Sequence, residues 1–161
     1  MINLSVKSKL YKNSGNAEVL RCVPKHAKCI LDIGCGAGDN AKILTDHGVN
    51  VDGITLSNDE ADMARAHLRT TYIHNLEEGL PPNLASSFDV ILASRVLEHI
   101  CFPEPLFRDV AMKLGNNGIF IVALPNLLNW RYRIKMFYGI LEYECGDPPK
   151  TRPLVMLVCG P

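Results

Sequence analysis

Asp32 closes the apolar run Cys29-Ile30-Leu31-Asp32-Ile33, and Gly34, Gly36 and Gly38 follow it, each separated by one residue. The order reads as a strand, a tight turn and a helix start. Glycine lets the main chain bend sharply and lets a ligand lie against bare backbone. The G-x-G-x-G spacing is one residue shorter in its second gap than the dinucleotide fingerprint, and no Lys-Ser/Thr pair follows as in a phosphate-cradling loop. The expected ligand is therefore not held through a pyrophosphate. Further along, Thr55, Leu56 and Ser57 follow a second apolar run, Asn75 and Leu76 a third, and Ser94 a fourth, with His99 just beyond. An imidazole titrates near neutral pH, so His99 could take a proton from an acceptor, or it could serve only in packing or capping. Glu98 beside it does not make a metal site, because neighbouring helical residues diverge and no third ligand is suitably spaced. No metal is expected.

The elements that must carry these residues follow from periodicity. After the glycine turn, Ala41 and Leu44 fall at helical spacing up to His47-Gly48, and residues 49–54 form a second strand. Ser57 can cap a helix whose Ala61, Ala64 and Leu68 share a face, and residues 71–73 form a short third strand. After the loop at 79–83, residues 88–93 give the clearest strand, and a helix using Leu106, Val110 and Leu114 ends at Gly115-Asn116-Asn117-Gly118. Residues 119–124 make the fifth strand. Strands alternating with helices imply an α/β, Rossmann-like, doubly wound and mostly parallel sheet with helices on both faces. In such a sheet the ligand lies beyond the carboxyl ends of the strands, so the strand tips are where the site should form.

With Asp32 at the first tip, the glycine motif resembles the first motif of the class I S-adenosylmethionine-dependent methyltransferases. Ala93-Ser94-Arg95-Val96-Leu97-Glu98-His99-Ile100 is similar to the family's passage from the fourth strand into the next helix. Lys113-Leu114-Gly115-Asn116-Asn117-Gly118 is similar to the turn before its fifth strand, which extends the resemblance over residues 28–126. Residues 124–133 resemble a subgroup that includes methionine-biosynthesis-associated and glycan-linked members.

The resemblance implies S-adenosylmethionine as cofactor and S-adenosylhomocysteine as product. Asp32 would receive the ammonium of the cofactor's amino-acid end, with Gly34, Cys35, Gly36 and Gly38 along it. Thr55 stands where the family usually has an acid for the ribose hydroxyls, next to Leu56; Asp59 or Glu60 could substitute, or could merely complement the helix dipole. Placing Asp at 55 should then preserve or tighten binding. Asn75 would meet the adenine amine through its carbonyl oxygen, with Leu76 and Ser94 completing the set. His99 is the candidate catalytic group, although methyl transfer from a sulfonium can proceed by alignment without a strong base.

The chain of 161 residues, 47% hydrophobic and 21% charged, suits one domain. Its expected parts are a helical lead-in at 1–27, a cofactor-binding core at 28–124, and a helix with an irregular tail at 125–161. Trp130, Ile134 and Phe137 share a helical face in that last part, which either packs on the sheet or forms an acceptor lid. The family sheet usually ends in a hairpin of two further strands, whereas 23 residues follow Tyr138 here. The expectation is five strands, or six if residues 154–159 pair at an edge, with that hairpin incomplete and an exposed edge favouring self-association.

Formal net charge is zero, so no field gathers nucleic acid. No stretch reads as a signal peptide or a membrane span, and the six cysteines lack C-x-x-C spacing. These features point to a reduced, cytoplasmic protein, and the resemblance implies a methyltransferase acting on a small-molecule or glycan-linked acceptor. Two other functions compete with that reading. One is a cofactor-binding, catalytically weak regulatory or partner-binding protein on the same fold. The other is a nicotinamide-dependent reductase, which the glycine spacing and the missing ribose acid disfavour.

Overall fold

The computed structural model describes residues 15–84, 87–126, 137 and 154–159. Five strands run parallel: β1 (Cys29–Ile33), β2 (Asn50–Thr55), β3 (Thr70–Ile73), β4 (Phe88–Ser94) and β5 (Leu114–Leu124). A sixth, β6 (Leu154–Cys159), pairs antiparallel with β5 at the edge, with Leu124 opposite Leu154 and Ile119 opposite Cys159. The order across the sheet is β3-β2-β1-β4-β5-β6. Strand order thus reverses between β1 and β4, and the crevice beyond their carboxyl ends is the place for a ligand.

Alternation along the strands sends side chains to two cores. Leu31, Ile33, Ile54, Ile91, Ala93, Phe120 and Val122 face one side, under Leu106 and Val110 of α4 (Glu104–Lys113). Ile30, Val51, Val90, Leu92, Ile121 and Ala123 face the other, under Val19 of α1 (Ala17–Arg21) and Ala41 and Leu44 of α2 (Asp39–Asp46). Fully burying each of the Val, Leu, Ile and Phe side chains among these contributes roughly 1.5–3 kcal/mol, which concentrates the stabilisation in the central strands. The helix α3 (Asn58–Ala64) buries Ala61 and Ala64, and the backbone N–H of Leu68 bonds back to Ala64 just past its end.

The elements match the periodicity except that α3 ends before Leu68 and the fifth strand begins early. Leu114 is the C-cap of α4 and begins β5, and it still packs against the core cluster that holds Leu106 and Val110. Pairing then moves from Phe88–Leu114 to Val90–Ile119, so β4 advances two residues while β5 advances five. The intervening Gly115-Asn116-Asn117-Gly118 forms a bulge with Asn117 at a left-handed φ of 62°. The chain turns there as expected, but inside the strand instead of before it.

The lead-in contains α1, while residues 1–14 lie outside the described residues. Trp130 and Ile134 also lie outside them; Phe137 is helical and exposed. On β2, Asp52 is almost wholly buried, and both its oxygens are held by Arg69, at 2.9 Å from Nε and 2.6 Å from a terminal nitrogen.

Candidate active site

Asp32 is the fourth of the five residues of β1 and lies among its buried positions, with none of its surface open to solvent. One carboxylate oxygen accepts a 3.4 Å hydrogen bond from the Asn40 amide, and the other is buried without a partner among the described residues. Burial pushes its pKa up to about 7, against the smaller opposing effect of the Asn40 bond. Among the described residues no cation pairs with this carboxylate. An ammonium reaching the free oxygen would satisfy it and restore its charge.

The turn beyond Asp32 uses its three glycines in different ways. All have positive φ, at 69°, 54° and 86° for Gly34, Gly36 and Gly38. A Cβ on Gly34 would collide with the side chain of Val96, just past β4, so this glycine lets two strand tips approach each other. A Cβ on Gly38 would sit 3.1 Å from the Cα of Ala64, so this one seats α2 against α3. A Cβ on Gly36 would meet nothing within 4 Å. Of the three, Gly36 is the one whose bare backbone borders open space, as a ligand-facing glycine requires. The Cys35 backbone N–H bonds to the Ile54 carbonyl at 2.9 Å, tying the turn to β2.

Cys35 turns its thiol toward Gly53, where a Cβ would lie 2.7 Å from the sulfur. Burial pushes that thiol well above its ordinary pKa, and the negative fields of Asp32 and then Glu60 add to the shift. A thiol held protonated in this way is a poor nucleophile.

At the tip of β2 the buried Thr55 hydroxyl donates to a Glu60 carboxylate oxygen at 2.6 Å. The Ser57 backbone N–H donates to Thr55 Oγ1 at 3.3 Å, and Ser57 Oγ accepts from the Glu60 N–H at 3.4 Å. Ser57 and Glu60 have the S-x-x-E spacing of a capping box. Here the glutamate reaches Thr55 and not the cap's own N–H, so an acid returns to the second strand tip from one turn into α3. Leu56 beside it is strongly exposed and apolar.

The remaining sequence-derived residues divide. Asn75 is exposed at the third tip, and its side-chain oxygen accepts from the Glu77 N–H at 3.1 Å, capping a 3-10 turn at Leu76–Glu78. Leu76 packs against the core cluster and does not stand free. Ser94, at the end of β4, accepts a 2.9 Å hydrogen bond from the Asn16 amide. His99 is exposed on the 3-10 turn Leu97–His99, and next to it Glu98 has one carboxylate oxygen buried without a partner among the described residues. Arg95 holds a left-handed φ of 58° at the same tip.

Two residues of the candidate site, Asn16 and Asn40, escaped the sequence reading because they carry no spacing signal. Glu77 gathers the backbone N–H groups of Cys101 at 2.8 Å and Phe102 at 3.2 Å, which fastens the loop after His99 to the third strand tip. Phe102 is left exposed on that loop. Among the described residues, no group of three His, Cys, Asp or Glu could hold a metal ion, and no helix is long and apolar enough to cross a membrane.

A family model described as "Methyltransferase domain" matches residues 11–148. The ubiquinone biosynthesis O-methyltransferase of Actinobacillus pleuropneumoniae is 34% identical over 136 residues, covering 73% of this chain and 58% of that protein. Its counterpart in Vibrio parahaemolyticus is 28% identical over 114 residues, covering 66% of this chain and 48% of the relative. The crystal structure of an S-adenosylmethionine-dependent methyltransferase from Mesorhizobium loti superposes with a TM-score of 0.57 at 29% identity, covering 66% of this chain and 50% of that one. The chain spans about half the length of the curated relatives it matches.

Proposed function

Because this chain belongs to the class I S-adenosylmethionine-dependent methyltransferase family, we propose that it binds S-adenosylmethionine at the tips of β1 to β4 and transfers the methyl group to an oxygen of a small-molecule acceptor. The observation that carries this reading is the buried, unpartnered oxygen of Asp32 beneath the glycine turn. It suits the ammonium of an amino-acid group and repels a phosphate.

The cofactor would supply a methyl group on a sulfonium, a carbon already activated for in-line displacement. The protein's part is to bind, orient and exclude water. Asp32 accepts the ammonium, and Gly36 leaves room along the turn. Glu60, aimed by Thr55, accepts from the ribose hydroxyls in place of the missing strand-tip acid. Leu56 covers the base with an apolar side chain, and Asn75, whose oxygen already caps the next turn, offers its NH2 to a ring nitrogen. His99 takes the proton released when the acceptor hydroxyl is methylated. The choice of an oxygen acceptor rests on the names of the curated relatives, which are O-methyltransferases.

Calorimetry with S-adenosylhomocysteine and with NAD tests the cofactor assignment. Binding of the first alone is the expected result, and binding of NAD alone would overturn it. Transfer of labelled methyl from S-adenosylmethionine to a panel of small hydroxylated acceptors tests the reaction. Label appearing on nitrogen but never on oxygen would overturn the acceptor class.

A further inference from the structure

A chain of hydrogen bonds joins four residues from three separate parts of the sequence at the Asp32 end of the site. The Asn16 side-chain NH2 donates to Ser94 Oγ at 2.9 Å, across a separation of 78 residues. The Asn16 backbone N–H donates to the Asn40 side-chain oxygen at 2.8 Å, and the Asn40 NH2 donates to Asp32 at 3.4 Å.

The direction of this chain is dictated by its members. A backbone N–H can only donate, so Asn40 must present its oxygen to Asn16. That turns the Asn40 NH2 toward Asp32, where it favours the ionised carboxylate and occupies only one of its two oxygens. Asn16 is equally constrained, because its own side-chain oxygen accepts from the Val19 N–H and caps α1, leaving its NH2 for Ser94. The segment can lie this close to α2 because residue 15 is glycine, where a Cβ would be 2.8 Å from Ile43 Cδ1. Val19, wholly buried on α1, anchors the far side of the segment in the core.

We propose that Asn16 and Asn40 are positioning residues for the amino-acid end of the cofactor: Asn40 aims the free oxygen of Asp32, and Asn16 straps the N-terminal segment across the tips of β1 and β4. The proposal rests on the cofactor reading above. It adds two residues on the segments flanking the glycine turn and a reason for the N-terminal segment to be part of the site. The strap links Ser94 to Asn40, whose amide holds one oxygen of Asp32, so an ammonium at the other, buried oxygen is held in a partly desolvated position where its pairing is strongest.

The test compares S-adenosylhomocysteine with 5′-methylthioadenosine, which lacks the amino-acid end, on the whole chain by calorimetry. In Asn40→Ala the affinity for S-adenosylhomocysteine should fall about tenfold or more, while that for 5′-methylthioadenosine changes less than about twofold. Asn40→Asp should not rescue, since it sets a second carboxylate against Asp32. Asn16→Ser retains a capping oxygen and the backbone N–H but cannot span to Ser94. It should show the same selective loss to a smaller degree.

Equal losses for both nucleosides in Asn40→Ala would mean a merely structural role, and no loss for S-adenosylhomocysteine would mean none; either overturns the proposal. Wild-type protein binding 5′-methylthioadenosine and S-adenosylhomocysteine equally well would overturn it too, because the Asp32 end would then contribute nothing. Wild-type protein binding neither nucleoside would overturn the cofactor reading and this proposal with it.

Discussion

The Thr55 hydroxyl donates to the Glu60 carboxylate at 2.6 Å, so an acid on α3 stands over the second strand tip although the strand itself ends in threonine. This reverses the expectation for an aspartate at 55. Its carboxylate would face that of Glu60 at close range, and two like charges so placed cannot both ionise comfortably. Thr55→Asp should weaken S-adenosylhomocysteine binding by about tenfold, and Glu60→Gln should do the same by removing a charge-assisted acceptor worth roughly 1.5–3 kcal/mol. Titration calorimetry of both variants checks this, and tighter binding by Thr55→Asp would remove Glu60 from the site.

Asp32 should make the ligand-free protein less stable as pH rises. Its pKa is lifted from 3.8 to about 7 by burial. Below about pH 4 the group is protonated in both the folded and unfolded states and imposes no penalty. Between about 4 and 7 only the folded state retains the proton, so stability falls with increasing pH and then levels off. Asp32→Asn should therefore stabilise the free protein by on the order of 4 kcal/mol at pH 8 and by little at pH 4, while abolishing S-adenosylhomocysteine binding. Urea denaturation at the two pH values measures the difference, and an equal effect at both would contradict the assignment.

Gly34 and Gly36 should respond oppositely to alanine. In Gly36→Ala the new methyl meets no protein atom, so the loss of stability is the left-handed φ penalty of roughly 1–2 kcal/mol, and the fold survives. Cofactor binding should nevertheless be lost, because the methyl occupies ligand space. Gly34→Ala should destabilise the protein by more than about 2 kcal/mol through its clash with Val96. Thermal melts with and without S-adenosylhomocysteine separate the two: a ligand-induced shift in Gly36→Ala equal to wild type would show that Gly36 does not face the ligand.

Away from the site, Arg69→Met should leave Asp52 as an unpaired charge that is 1% exposed. The loss expected is roughly 1.5–3 kcal/mol, below that of a fully buried pair because Arg69 itself is 44% exposed. S-adenosylhomocysteine affinity of the folded protein should not change. Denaturation midpoints and calorimetry together check this, and a change in affinity without a change in stability would contradict it.

The local order of this fold was legible residue by residue. Cys29–Ile33, the glycine turn, the Ser57 cap and the alternation through 88–93 each report burial with a period of two or 3.6, and that information lies within a few neighbouring side chains. The strand tips named from the sequence are therefore the tips in the structure, and Asp32 stands buried at the first of them.

What only the tertiary structure decided is which groups meet across the sheet. The strand order sets β1 beside β4 and brings Asn16 to Ser94; no pattern of residue types records a contact at that separation. Sequence spacing made Gly34, Gly36 and Gly38 equivalent, whereas their neighbours make the first a packing contact with Val96, the last a helix seat and the middle one an open edge. Glu60 could equally have closed its own cap until Thr55 offered it a donor. Periodicity encodes the direction a side chain faces, because burial is a local average; partners depend on the three-dimensional placement of whole elements, which is settled only when the sheet is assembled.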